Sequence, residues 1–367
     1  MLLALANFSP KTMWRLRAVM SILPLTLPLL ALRTVELSRD SAYINWWMFY
    51  PLFIMYGALT LLDYVVGRDT TNSEDATTRP VWLTRFFQVL PLICVPLHIA
   101  LLFYAAHFFV TAPLSGVGML GWILSIGVIS GIVAINVAHE LIHKPTKLEQ
   151  WAGGVLLSAS GYGSFKIEHV MGHHLWVATD RDPSSAKQGE SIYAFVPRAI
   201  WRNLQSAVHL QSQILHRKGF GFWSWRNELL VWSALTIGLT ALFGALFGAM
   251  GVVFFVGQAL VAIINLELIN YIEHYGLRRE IEANGRPSKV TPMHSWNSAY
   301  FLTNAYLFQL QRHSDHHAAA GRRYQDLRHF DASPQLPGGY GAMIMLSLIP
   351  PLWRHVIDKR IPKDFHC

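Results

Sequence analysis

Nine of the 17 histidines in this sequence fall into four short clusters. Two of the clusters hold three histidines within six residues, and residues three or four apart lie on one face of a helix. A single histidine pair would be weak evidence, but two triples in one chain strongly indicate a metal site. The clustered histidines are His139 and His143; His169, His173 and His174; His274; and His313, His316 and His317.

Nine imidazoles are too many for one metal ion, and they suit two. Imidazole binds zinc, copper, iron and nickel, so the ligand type alone leaves the metal open. A structural zinc site often uses cysteine, and neither of the two cysteines lies near a cluster. The segment at 139–143 also matches the HExxH pattern of zinc proteases, in which Glu140 would be the general base. That interpretation leaves both histidine triples without a role.

Acidic residues adjoin the clusters, and their carboxylates could orient the imidazoles or bind metal directly. The residues next to a cluster histidine are Glu140, Glu168, Glu273 and Asp315. The sequence does not decide between these two roles. Glu267 lies in an apolar stretch, where charged residues are rare, and it precedes His274 by two helical turns. We expect it to face the metal site and orient it, with a helix–helix hydrogen bond as the alternative.

The elements that must position these residues are apolar helices. The chain is 52% hydrophobic and only 14% charged, whereas a soluble domain carries about 25% charged residues. The net charge is +8, but the basic residues form no long run. Their dispersal argues against a nucleic-acid partner and favours a membrane face. The predicted fold is an all-α integral membrane protein. It is a single domain over 1–367 with six spans, at about 18–36, 43–66, 86–110, 116–138, 228–247 and 250–271.

The basic residues set the expected orientation. If both termini are cytoplasmic, only Arg33 and Arg39 of the 30 Lys and Arg residues lie in outer loops, as the positive-inside rule requires. The polar segments 139–227 and 272–367 then form a cytoplasmic helical cap that carries the metal ligands. Within the cap, apolar residues from Trp201 to Leu215 recur at helical spacing, which predicts a helix in the interface plane. Transporter sites lie near the bilayer midplane, so this placement disfavours a metal transporter.

The histidine segments resemble the four motifs of the membrane alkane 1-monooxygenases. They read HELIHK at 139–144, EHVMGHH at 168–174, NYIEHYGL at 270–277 and LQRHSDHH at 310–317. The segments VATDRDPSSA (177–186), GESIYAF (189–195), HSWNS (294–298) and RRYQDLRHF (322–330) are similar too. The family shares a wider group with fatty acid desaturases and xylene monooxygenases. NYIEHYGL and LQRHSDHH favour its alkane branch.

The resemblance implies a centre of two non-haem Fe ions held by all nine clustered histidines. It implies a reaction with O2 and two electrons, usually from rubredoxin and its reductase, that hydroxylates the terminal carbon of a medium-chain alkane. No CxxCG pair occurs here, so we expect the electron donor to be another protein or a portion outside this sequence. The alternatives are a di-iron fatty-acid or lipid desaturase or hydroxylase, and a xylene-type methyl hydroxylase.

The resemblance also implies where the protein works and how it admits substrate. The expected location is a bacterial inner membrane, crossed several times, with the termini and the active site on the cytoplasmic side. An alkane dissolves in lipid, so a substrate channel from the bilayer is expected. Met55 resembles a position that sets chain length in the family, with a lipid-facing position or plain packing as the alternative. Beyond the metal centre, no separate catalytic residue is expected.

Overall fold

The computed structural model describes residues 8–72 and 79–363, and they form a helical protein. In these ranges the extended pairings are isolated bridges, such as the one between Arg68 and Tyr300. Within the described ranges, five helices are long and apolar enough to cross a membrane, which agrees with the predicted all-α membrane class. They are α1 (Lys11–Ser38), α2 (Ile44–Val66), α3 (Val81–Thr111), α4 (Gly116–Ile142) and α5 (Glu228–His274).

The observed helices extend beyond the apolar stretches that predicted them. α1 begins at Lys11, ahead of the predicted 18, and contains a 3-10 turn at Leu23–Thr26. α3 begins at Val81 instead of 86. A helix continues into water as long as its backbone groups are paired, so hydropathy locates the apolar part of a helix and not its ends.

α5 reverses direction at Gly248. This residue has a φ of 69°, a conformation that glycine adopts at little cost. The rings of Phe243 and Phe255 lie 4.9 Å apart, whereas twelve residues of straight helix would separate them by about 18 Å. The reversal therefore falls between the spans predicted at 228–247 and 250–271. That each arm crosses the membrane stays a prediction.

α4 and the second arm of α5 pack closely, which places their ends side by side. A Cβ on Gly127 would come within 2.4 Å of Val261, so only glycine permits this approach. Nearby, the Ser130 hydroxyl donates to Gln258 Oε1 at 2.7 Å. These contacts fix the register of two helices whose last turns contain His139 and His274.

Shorter helices and loops pack against the ends of α2, α4 and α5. The longest, Ile192–Arg217, buries one face and exposes Trp201, Leu204 and Val208, while Leu215 is buried. Its position in the interface plane stays a prediction. The other helices are Lys147–Ala159, Phe165–Glu168, His169–His173, His174–Trp176, Phe301–Tyr306, His313–Ala318, Tyr340–Ser347 and Pro350–Ile357, with 3-10 turns at Pro292–His294, Tyr324–Asp326 and Asp358–Arg360.

Candidate metal centre

Four segments bring the nine clustered histidines together where α4 and α5 end. His139 lies in the last turn of α4 and His143 directly follows that helix, while His274 is the last residue of α5. The remaining six lie in 169–174 and in the helix His313–Ala318. Their ring nitrogens form two groups, each of which could hold a metal ion.

The first group contains five histidines. One ring nitrogen of each lies within 4.8 Å of the others. Nε2 of His174 is 3.1 Å from Nε2 of His169 and 3.2 Å from Nε2 of His316. This five-histidine group consists of His139, His143, His169, His174 and His316.

The second group contains four histidines and is more deeply buried. Nε2 of His317 is 2.9 Å from Nε2 of His313 and 3.2 Å from Nε2 of His173. Nε2 of His313 is in turn 3.2 Å from Nε2 of His274. These residues form the four-histidine group. It adjoins the first group, with the ring centroids of His174 and His317 only 4.4 Å apart.

A π-helical turn divides the second sequence cluster between the two groups. In an α-helix, His169 and His173 would share a face because they are four residues apart. The backbone from His169 to His173 is instead a π-helix, in which hydrogen bonds join residues five apart. His169 therefore faces the same way as His174, and His173 turns to the four-histidine group.

The donor set fits metal ions. Nε2 of His139 and of His143 is buried without a hydrogen-bond partner among the described residues, and such buried polar atoms are uncommon unless a ligand satisfies them. Metal–nitrogen bonds of about 2.0–2.1 Å put neighbouring ligands about 3 Å apart, as the Nε2 atoms are here. Burial, and then the neighbouring imidazoles, lower the pKa of His169, His316 and His317 well below the ordinary value. These rings are therefore neutral, the form that binds a metal.

Asp182 orients His173, and the sequence analysis missed it. Its two carboxylate oxygens lie 3.0 and 3.1 Å from His173 Nδ1, which leaves Nε2 to face the four-histidine group. The Ser185 hydroxyl donates to the same carboxylate at 2.6 Å. Burial alone would raise the pKa of Asp182, but the charge and hydrogen bond of His173 lower it below the ordinary value. The available signal was an acidic residue in the VATDRDPSSA segment, nine positions after His173.

Of the carboxylates singled out from the sequence, Glu273 is the one that contacts a clustered histidine among the described residues. Its Oε2 atom lies 3.2 Å from Nε2 of His313. Its Oε1 atom accepts a hydrogen bond of 2.7 Å from the Tyr340 hydroxyl. The carboxylate is buried and sits at the nitrogen that faces the rest of the four-histidine group.

Two predicted carboxylates pair with cations instead of imidazoles. Glu140 Oε1 lies 3.0 Å from Lys144 Nζ. Asp315 pairs with Arg322 and accepts the backbone N–H of Arg328 at 2.8 Å. Among the described contacts, neither carboxylate meets an imidazole of the two groups. Because Glu140 forms an ion pair with Lys144, it is also poorly suited to be the general base of a zinc protease.

Glu267 lies behind Asp182 and not against the imidazoles. It accepts hydrogen bonds from the Tyr162 hydroxyl at 2.5 Å and from Asn203 Nδ2 at 3.2 Å. The Ser184 hydroxyl donates to Asn203 Oδ1 at 3.3 Å, and the Ser184 backbone N–H donates to Asp182 at 3.1 Å. Glu267 is thus linked to the four-histidine group indirectly, through a chain of polar side chains.

Glu168 is buried in the same region. The Ser206 hydroxyl donates to its Oε1 atom at 3.4 Å. Burial, followed by the nearby carboxylates of Asp182 and Glu267, raises the pKa of Glu168 well above the ordinary value. Among the described contacts, it makes none with a histidine ring.

A largely apolar cavity lies between α2, α4 and the second arm of α5, and it is connected to the four-histidine group through Tyr340 and Glu273. Met55 lines it, together with side chains from α4 and the second arm of α5, such as Ile132 and Ile269. Tyr340 also lines it, and its hydroxyl binds Glu273 at 2.7 Å.

A smaller cavity of about 230 Å³ adjoins the five-histidine group directly, with His139 and His316 in its wall. Phe308 also lines it. Phe308 has a φ of 49°, an uncommon conformation for a residue with a side chain. The two histidine groups therefore have different cavities beside them.

Comparisons with known proteins identify relatives along most of the chain. The sequence model of the fatty acid desaturase family matches residues 114–347. Alkane 1-monooxygenase 2 of Alcanivorax borkumensis is 49% identical over 88% of this chain and 85% of its own length. Alkane 1-monooxygenase 1 of Pseudomonas aeruginosa is 47% identical over 97% of this chain and 94% of its own. The hydroxylase component of the xylene/toluene monooxygenase of Pseudomonas putida is 30% identical over 67% of this chain and 65% of its own.

Proposed function

The chain belongs to the alkane 1-monooxygenase family, and we propose that it hydroxylates the terminal carbon of medium-chain alkanes with O2. The observation that carries the proposal is a juxtaposition. Two histidine groups, each able to hold a metal ion, adjoin each other, and Tyr340 and Glu273 connect the four-histidine group to a largely apolar cavity. An alkane offers no polar atom to bind, so an apolar cavity must position it and a metal centre must oxidise it.

The metal ions in this proposal are two irons, one in the five-histidine group and one in the four-histidine group. The family resemblance supports iron, and the two sets of Nε2 atoms support two ions. When bound, iron supplies the activation of O2 that a strong terminal C–H bond requires. In the overall reaction, one oxygen atom of O2 is inserted into the C–H bond, which gives C–OH. The other leaves as water after taking up two electrons and two protons.

The carboxylates divide between binding and orienting in this proposal. We assign Glu273 to the four-histidine group as an oxygen donor, because its Oε2 atom stands 3.2 Å from Nε2 of His313, a spacing typical of two ligands on one ion. The Tyr340 hydroxyl orients this carboxylate. Asp182 holds the ring of His173, as carboxylates commonly do for ligating histidines. Glu267 supports Asp182 from behind, and Glu140 and Asp315 hold the cap.

The cavity is the substrate site in this proposal. It begins at Tyr340, next to the metal groups, and continues between α2, α4 and α5 to Met55. Its mainly apolar wall binds the hydrocarbon and keeps water away. We propose that Met55 limits the chain length and that the alkane enters from the bilayer.

We propose six spans in a bacterial inner membrane, with both termini and the cap cytoplasmic. The reversal at Gly248 supports six, because it divides α5 into two arms. The concentration of basic residues outside the three predicted outer loops supports the orientation. The electron donor is proposed from the resemblance to be rubredoxin with its reductase.

A methyl hydroxylase of the xylene type is the second candidate function. The relative from Pseudomonas putida supports it, although that identity of 30% is below the 47–49% of the alkane enzymes. A lipid desaturase is suggested by the family model alone. Product analysis separates the three functions.

The test uses the purified protein in nanodiscs, loaded with iron, with rubredoxin, rubredoxin reductase and NADH. Octane, p-xylene and an acyl-lipid are supplied separately under 18O2. We expect 18O-labelled 1-octanol as the principal product. Oxidation of p-xylene in preference to octane, or a new double bond in the lipid without alkane oxidation, would replace the proposed substrate.

A further inference from the structure

The small cavity at the five-histidine group contains a buried amide that has no partner among the described residues. The Asn136 side chain lines this cavity, and its Nδ2 atom is buried without a hydrogen-bond partner. Asn136 ends the π-helical turn Gly131–Asn136 of α4 and precedes His139 by three residues. It therefore lies on the same helix face as His139, whose side chain also lines the cavity. A buried amide of this kind indicates a ligand that the surrounding side chains do not supply.

The walls of the small cavity favour a small and uncharged ligand. Its apolar side chains are Phe308, Leu310 and Leu327. Glu140 is also in the wall, but its Oε1 atom already lies 3.0 Å from Lys144 Nζ. An anion would therefore meet a carboxylate that is held in place. The space admits a molecule about the size of water or O2, and not a hydrocarbon chain.

A second space, here called the outer pocket, lies on the other side of Phe308. Phe308 lines both the outer pocket and the small cavity, so its ring stands between them. Trp14 of α1 and Phe87 of α3 line the outer pocket, and their rings meet edge to face at 6.1 Å. Arg17 lines it too, but its guanidinium donates to Asp69 at 3.0 Å. Trp14 is half-buried, so the outer pocket lies near the surface of the bundle.

The backbone that carries this partition is strained. Phe308 and the next residue, Gln309, have φ values of 49° and 59°, which residues with side chains adopt rarely. Such strain persists where the surrounding structure holds it, and it is concentrated at functional sites. Here it directs the Phe308 ring against Tyr324, with the ring centroids 4.8 Å apart. Displacement of this one ring would connect the outer pocket with the small cavity.

We propose that O2 reaches the five-histidine group through the outer pocket, past Phe308, and is held in the small cavity by a hydrogen bond from the Asn136 amide. This inference rests on the proposed function, in which O2 is the oxidant, and it gives O2 a binding site of its own. The cavity proposed for the hydrocarbon shares no lining residue with the small cavity or the outer pocket. The two substrates therefore arrive by separate routes, and a bound hydrocarbon does not block the gas.

Nitric oxide is the probe, because it is a diatomic ligand of ferrous iron whose binding is followed by optical and EPR spectra without turnover. The experiment uses iron-loaded, reduced protein in nanodiscs and measures the association and dissociation rates of nitric oxide. Ala18→Phe fills the outer pocket, which Ala18 lines. Phe308→Gly removes the partition, and glycine tolerates the positive φ. Asn136→Leu keeps the approximate size of the side chain and removes the amide.

Two further variants are matched controls. Met55→Trp fills the hydrocarbon cavity instead of the outer pocket, and it is the control for Ala18→Phe. Ser130→Ala removes a buried polar group of α4 that lines neither the outer pocket nor the small cavity, and it is the control for Asn136→Leu. Iron content is measured for every variant, so a loss of folding or of metal is separated from a change in ligand binding.

We expect Ala18→Phe to slow nitric oxide association several-fold and Phe308→Gly to accelerate it. Both should change the dissociation rate in the same direction, because they alter the route and not the site. Asn136→Leu should instead raise the dissociation rate by about three- to tenfold, the effect of one buried hydrogen bond, and leave association nearly unchanged. Met55→Trp and Ser130→Ala should leave both rates as in the wild type.

Three results would overturn the inference. Unchanged rates in Ala18→Phe and Phe308→Gly would remove the route, and slower association in Met55→Trp would assign gas entry to the hydrocarbon cavity. An unchanged dissociation rate in Asn136→Leu would remove the site. The expected nitric oxide rates without oxidation of octane by the wild type would contradict the proposed substrate and leave this site intact, whereas a chain that takes up no iron would contradict both.

Discussion

The five-histidine group and the four-histidine group differ in the charges around them. Among the described contacts, carboxylates meet only the second group: Asp182 holds His173, and Glu273 lies 3.2 Å from His313 Nε2. The first group has more imidazoles and no such anion, and its cavity is the smaller one. A divalent ion there would keep its full charge, whereas nearby carboxylates would offset charge in the second group.

This difference indicates that metal ions bound in the two histidine groups would experience different electrostatic surroundings. Carboxylates stabilise a more positive ion, so we expect the ion in the four-histidine group to be the more easily oxidised. The four-histidine group is also the one linked to the largely apolar cavity through Tyr340 and Glu273. In the five-histidine group, metal affinity would instead depend on the larger number of imidazole ligands.

The largest effect is expected from removing one ligand of each group. His274→Asn leaves three imidazoles in the four-histidine group, and activity should fall by more than about 100-fold as that ion is lost. His143→Asn leaves four imidazoles in the other group and should retain more iron. Iron per chain and octane turnover measure both variants. Equal loss of iron in the two would contradict the unequal reliance on ligand number.

Removing the carboxylate on His173 should have the next largest effect. Asp182→Asn weakens the hold on the ring, and iron affinity or activity should fall by about 10- to 100-fold. Asp315→Asn is the matched comparison, because that buried carboxylate pairs with Arg322 and not with an imidazole. We expect its effect on iron affinity, measured by chelator competition, to be several-fold smaller. The reverse order would show that Asp182 has no special role.

Glu273→Gln should change the Mössbauer parameters of one iron and leave those of the other unchanged. The substitution keeps the size of the side chain and removes its charge beside His313, so turnover should fall about tenfold. In 57Fe-loaded protein, the Mössbauer parameters of one iron should shift. Glu140→Gln, which removes a carboxylate bound to Lys144, should leave both spectra as in the wild type. Shifts of both irons in Glu273→Gln would indicate that this carboxylate serves the two groups alike.

The smallest effect on the metals, with a clear effect on substrate choice, is expected at Met55. Met55→Trp narrows the cavity beside the four-histidine group, so kcat/KM for dodecane should fall several-fold relative to octane. Iron content should not change, because the side chain lies in the cavity wall away from both groups. A loss of iron, or an unchanged ratio, would separate this cavity from substrate selection.

The sequence predicts which histidines belong together in space, but not which share an ion. The i, i+4 rule pairs His139 with His143 correctly, and the same rule would pair His169 with His173 wrongly. The reason is the π-helical turn at His169–His173, which local sequence does not announce. The two groups thus depend on backbone geometry that only the folded chain reveals.

The carboxylates show the same limit. Adjacency to a histidine selects four residues, and the structure brings one of them, Glu273, against an imidazole. Asp182 was missed because it reaches His173 across a turn, and neighbours in a fold are seldom neighbours in sequence. The helices were easier to predict, since apolar length alone indicates them. The reversal within α5 was expected at the correct place because apolar stretches flank Gly248.

The most direct test of the account is the Mössbauer spectrum and iron content of the wild-type protein loaded with 57Fe. Two unequal histidine groups predict about two irons per chain and two quadrupole doublets of equal area with different parameters. One iron per chain, a single symmetric doublet, or zinc bound in place of iron would contradict the central claim that this chain holds two distinct irons.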